Sequence, residues 1–93
     1  MEQAESAVRV WLVERTYSDD ELNLVILTYA TPDGERYFRK ERALTSFTNA
    51  PETRVSVEAD PGNLGDVEDP ETVEWYRTEA TRMAETHDPD DVL

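Results

Sequence analysis

The sequence predicts an α+β domain: a four-stranded antiparallel meander in the order β-β-β-β-α, with one helix packed on one face of the sheet. Three observations predict it. Four stretches rich in β-branched and aromatic residues are divided by polar or Pro/Gly turns. One stretch near the C-terminal end repeats apolar residues at helical spacing behind a capping signal. Ninety-three residues, 38 % of them hydrophobic and none cysteine, suit a single core closed without disulfides or Cys-ligated metal. The domain is read as 1–93, with 1–6 and 88–93 fraying.

The first strand is expected over Ala7 to Tyr17, where β-branched and aromatic residues dominate. Ser18-Asp19-Asp20-Glu21 forms a polar turn, and Leu22 to Thr31 carries the strongest strand signal in the chain. Pro32-Asp33-Gly34 then turns the chain, because Pro presets φ and Gly takes the positive-φ position. Glu35 to Arg42 completes the hairpin as a charged strand suited to a sheet edge. Residues 43–52 stay open between strand, helical turn and loop, with Leu44 and Phe47 requiring apolar cover. Thr53 to Ala59 alternates Val55, Val57 and Ala59 with polar residues and reads as a fourth strand with one wet face. Asp60 to Gly65 breaks it.

The helix has the clearest local signals. Asp69 caps, Pro70 takes the first helical position and Glu71 complements the dipole. Val73, Tyr76, Ala80, Met83, Ala84 and His87 then share one face, and Asp88-Pro89 stops it. Trp75 lies off that stripe, as a rim residue.

Charge sets the habitat. There are 22 acidic residues against nine basic ones, a net charge of −13, and Lys40 is the one lysine beside eight arginines. Residues 1–43 hold nine acids and six bases; residues 44–93 hold thirteen acids and three bases. This excess of carboxylates with almost no lysine resembles the composition of small acidic proteins from salt-in halophilic archaea, whose charge keeps them hydrated in molar salt. The resemblance is one of composition and implies no activity. No secretory signal and no apolar run near the ~20 residues of a membrane helix is visible, so a cytoplasmic location is expected.

Parity in the first two strands points to a partner. Val8, Val10 and Leu12 alternate with Trp11, Val13 and Tyr17, and Leu22, Leu24 and Ile26 alternate with Val25, Leu27 and Tyr29. Both faces are therefore apolar, while one helix covers one face. The sequence accordingly favours a non-enzymatic interaction or regulatory protein, homodimeric or bound to another protein through Trp11, Val13, Val25, Leu27 and Tyr29. A fold-back of Leu44 and Phe47 over the second face is the competing expectation.

The alternative is a nucleic-acid-binding module built on Arg36, Tyr37, Arg39, Lys40 and Arg42. Alternation splits these bases, Arg36, Lys40 and Arg42 against Arg39 and Tyr37. Three or four phosphate contacts would lose about 10³ in affinity for each tenfold rise in salt. Pairing of these bases with the acidic C-terminal half is the expectation that competes with this reading.

Chemistry is thinly represented. Asp60, Gly65 and Glu71 echo positions of a calcium loop, but Gly62 and Leu64 occupy ligand positions and a strand precedes the loop. His87 beside Asp88, Asp90 and Asp91 suits a helix C-terminus better than a metal site. Neither Ser46 nor Ser56 sits in a nucleophile elbow, and three glycines supply no phosphate loop. No catalytic residue, metal or cofactor is expected.

Overall fold

A computed structural model describes residues 7–18, 24–43 and 53–92. The expected turn at 19–21 and the ambiguous stretch around Leu44 and Phe47 lie outside the described residues. Five strands form one antiparallel sheet: β1 (Val8–Ser18), β2 (Leu24–Ala30), β3 (Arg36–Ala43), β4 (Ser56–Ala59) and the two-residue β5 (Gly65–Asp66). One helix, α1 (Pro70–Thr86), follows them. The α+β class is as expected, with five strands rather than four.

The order is β4-β1-β2-β3-β5, so the meander ends at β3. β4 does not extend it but returns to the far side of β1, where Val8 faces Ala59 and Trp11 faces Ser56. The reason is burial. β1 and β2 carry apolar residues on both faces and belong in the sheet interior; a fourth strand outside β3 would have pushed the charged strand inward instead. β5 covers only the start of β3, where Tyr37 pairs with Gly65. A Cβ on Gly65 would lie 2.6 Å from the Tyr37 ring, so the short strand fits because it lacks a side chain there.

A bulge divides β1. Trp11 faces Ala30 and Leu12 faces Tyr29, but the next partner, Thr28, faces Glu14, leaving Val13 as the extra residue. The bulge reverses which side each later residue of β1 takes. Trp11 and Glu14 thus share a face with Ala30 and Thr28; Val10 and Leu12 share the other with Tyr29.

The helix lies over β1 and β2 and is capped at Asp69, though in a way the sequence did not suggest. Asp69 makes no cap bond to a backbone amide; its carboxylate accepts from the Thr72 hydroxyl at 2.9 Å. Ala80 and Met83 are buried, Val73 and Tyr76 half-buried, and Ala84 is exposed. The hairpin end supports the helix directly. Gly34 adopts φ +76°, and a Cβ there would meet the Val73 carbonyl oxygen at 2.3 Å and the Arg77 nitrogen at 2.7 Å.

Residues 91 and 92 meet the stretch that leads into β4. The Val55 amide donates to the Asp91 carbonyl at 3.0 Å, and Arg54 bridges Val92. Val55 in turn accepts from the Leu12 amide, which joins the tail to the sheet centre. Ser56 also departs from expectation: it is buried, accepts from Arg9 at 3.1 Å and donates to the Val10 carbonyl at 2.7 Å, so β4 has no fully wet face.

Gly34→Ala should destabilise the fold by about 2–4 kcal/mol, because it combines a left-handed backbone with a backbone clash. Gly62→Ala, whose Cβ meets nothing closer than Asp60 at 3.5 Å, should stay within about 0.5 kcal/mol. Urea unfolding of the two variants checks the contrast.

Candidate interaction surface

The five residues expected to form a dimer face are all buried within the single chain. Leu27 and Tyr29 are 1 % exposed. Nor do the five share a face: Trp11 stands with Ala30 on the side that carries Glu14 and Thr28, opposite Tyr29. The shared face assumed for them does not hold, because cross-strand register rather than parity within each strand decides which residues meet. On the Tyr29 side, the Tyr29 hydroxyl donates to the Arg54 carbonyl at 2.8 Å, and Val8, Phe38 and Val57 pack against the core. Those five side chains form interior, not surface.

The exposed feature is β3. Its register places Tyr37, Arg39 and Glu41 opposite Ala30, Thr28 and Ile26, and places Phe38 and Lys40 opposite Tyr29 and Leu27. The sequence alternation of its bases therefore holds: Arg39 and Tyr37 face one way, Arg36 and Lys40 the other. Arg36, Arg39 and Lys40 are exposed. Among the described residues, Arg36, Arg39 and Lys40 do not make the expected ion pairs with the acidic half. The ion pairs among the described residues are Arg9–Glu58, Arg77–Glu74 and Arg82–Glu79, and none involves β3.

Backbone geometry adds a second property. Thr31 donates to the Arg36 carbonyl, so even-numbered residues of β3 bond toward β2. Val67 donates to the Glu35 carbonyl, so odd-numbered residues bond outward. β5 occupies that outer edge only beside Arg36 and Tyr37. The N–H and C=O groups of Arg39, Glu41 and Ala43 therefore point out along an edge that no described residue pairs.

Beside this edge, a cleft opens between the start of α1 and the sheet, lined by Tyr37, Arg39, Asp66, Glu68, Thr72 and Tyr76. Burial pushes the Tyr76 phenol above its ordinary range, with Glu14 adding to the shift and Arg39 opposing it. Tyr76 also meets the Trp75 ring in a tilted contact, centroids 5.2 Å apart, and Trp75 is 44 % exposed.

The remaining candidates have structural roles. Asp60 accepts from the Gly62 amide at 2.9 Å and caps the 3-10 turn Pro61–Asn63, so Asp60, Gly65 and Glu71 lie on three separate elements rather than one calcium loop. His87 ends α1, with its Nδ1 2.9 Å from the Thr86 hydroxyl. Among the described residues no three His, Asp or Glu side chains gather as metal ligands. Among the described residues no helix is long and apolar enough to cross a membrane.

Sheet order, helix placement and outer strand define a small α+β class: a five-stranded antiparallel sheet with one helix across its centre. Within that class the chain belongs to a family of unknown function, DUF7967, which matches residues 3–93. No curated protein and no solved structure matches it.

The hairpin turn carries a titration. The Thr31 hydroxyl, donating at 2.6 Å, does most to hold the Asp33 carboxyl below its ordinary range, with the Glu35 amide at 2.9 Å contributing next. A carboxyl whose folded pKa is depressed contributes stability above its unfolded pKa and loses it as pH falls through the folded value. Stability should therefore decline as the pH drops below about 4. Asp33→Asn, which cannot titrate, should make that decline shallower in pH-dependent urea unfolding.

Proposed function

We propose that this chain is a non-enzymatic interaction protein of a salt-rich cytoplasm, and that it docks through the outer edge of β3. The observation that carries the proposal is the outward row of backbone groups at Arg39, Glu41 and Ala43 beyond the reach of β5. An open strand edge is a template for pairing with another chain, and proteins that do not use one commonly bulge, cover or shorten it. Here the stretch is extended and regular, and Arg39, Lys40 and Glu41 are exposed. Its bases keep it from promiscuous aggregation while leaving the backbone available. The acidic composition supports the salt-rich setting, since a −13 chain meets less self-repulsion where salt screens it.

A second reading has one observation in its favour: Arg36, Arg39 and Lys40 stay exposed and make no ion pair among the described residues, in a chain of 22 acids. That suits contact with a polyanion through Arg36, Tyr37, Arg39, Lys40 and Arg42. The division of the bases between two faces and the steep salt cost of phosphate contacts weigh against it.

Amide hydrogen exchange tests the docking reading. In the dilute chain, Phe38 and Lys40 should be protected by β2 while Arg39 and Glu41 exchange freely. Equal protection of Arg39, Glu41 and Lys40 would mean that the edge is already occupied and would reject it. Fluorescence anisotropy with a single-stranded RNA tests the second reading. The expected outcome is no binding in molar KCl; retention there, lost in Arg39→Ala with Lys40→Ala, would establish it instead.

A further inference from the structure

We infer that the partner of the β3 edge is a second copy of this chain, paired antiparallel about a two-fold axis at Lys40. The inference rests on the docking reading above and adds the occupant and the register.

The free stretch of β3 is short, and both ends limit it. β5 holds the edge at Arg36 and Tyr37, so an incoming strand pairs from Phe38 onward. β3 itself ends at Ala43. Antiparallel pairing sets outward-bonding residues opposite outward-bonding residues, which leaves few two-fold registers. An axis at Arg39 sets Arg39 against its own copy and drives the second chain into β5. An axis at Glu41 sets Glu41 against Glu41 and Lys40 against Arg42, like charges in both cases. An axis at Lys40 sets Arg39 opposite Glu41 of the second copy, and Glu41 opposite its Arg39. Both positions are exposed and lie on the helix-bearing face.

That register therefore forms two reciprocal cross-strand ion pairs, each side by side with a hydrogen-bonded backbone pair. Lys40 meets Lys40 on the opposite face, where flexible stems carry both ammonium groups into solvent. This register sets Ala43, the last residue of β3, opposite Tyr37 of the second copy, whose outward groups Gly65 holds, so each strand leaves the new ladder after Arg42 and five residues pair on each side; an axis at Arg39 would bring Glu41 and Arg42 against β5 as well. The helix packs over β1 and β2, so it leaves the edge clear. Because the axis is normal to the sheet, the result is one ten-stranded sheet with both helices on the same side.

Five paired residues make an interface below the ~800 Å² per partner of a standard stable dimer, so association is weak and concentration-dependent. Salt should strengthen it at first, because repulsion between two −13 chains acts over the whole surface whereas the ion pairs are two contacts. Sedimentation equilibrium in KCl, from micromolar to millimolar protein, provides the test. The wild-type chain should dimerise across this range. Glu41→Arg, which turns both ion pairs into repulsions, should weaken association about tenfold or more. The double variant R39E/E41R restores opposite charges in the same register and should return to within about threefold of wild type. Glu41→Pro removes an outward amide while the inward ladder to β2 remains, so it should stay folded by circular dichroism and monomeric.

A wild-type chain that remains monomeric at millimolar concentration overturns the inference. So does Glu41→Arg associating as well as wild type, or a folded double swap that fails to recover. If Arg39 and Glu41 exchange freely yet the chain never self-associates, the second copy is wrong and the open edge stands. If they do not exchange freely, both fall together.

Discussion

Two adjacent strands that are apolar on both sides set the terms for the whole molecule. β1 and β2 hold Val10, Leu12, Trp11, Val25, Leu27, Tyr29 and Ala30, all buried. Such strands belong in a sheet interior with cover above and below. The sheet order follows, since β3 and β4 flank the pair and keep charged residues outside. The helix supplies cover on the Trp11 side. The chain end adds support through the ties of Val55 and Arg54 to Asp91 and Val92.

The bulge at Val13 is what allows one strand to serve both faces. It lets Val10 and Leu12 stand with Tyr29 while Glu14, a charged residue, takes the helix-bearing side near Tyr76. An unbulged strand would place Glu14 on the side of Leu12 and Tyr29. The register shift also removes the premise of a dimer through Trp11 and Leu27, which stand on opposite faces.

Local chemistry was legible in the sequence, and long-range geometry was not. The Pro32-Asp33-Gly34 hairpin turn, the Asp69-Pro70 helix start and the alternation of bases along β3 all depend on neighbours a few residues apart. They emerged as read. The partner of β4, the bulge and β5 depend on residues far apart in the chain, such as Val8 with Ala59 and Tyr37 with Gly65. Gly65-Asp66 is too short for any alternation to show, and its signal was a glycine beneath a tyrosine ring. The contact of Asp91 with Val55 is of the same kind: Asp90 to Val92 carries no local structural signal that would place it there. The outer edge of β3 was half visible. Its charged character reads directly from residues 36–42, whereas its exposure depends on how far β5 reaches.

The account stands on closure of both sheet faces within a single chain. Solvent paramagnetic attenuation of methyl and ring signals, recorded on dilute monomer, measures this directly. Val10, Leu27 and Trp11 should all be shielded, while exposed Val92 and Trp75 lose intensity. Strong attenuation of Val10 and Leu27 in the monomer, relieved only when copies associate, would show that the apolar face is the true meeting surface and contradict the assignment of that role to β3.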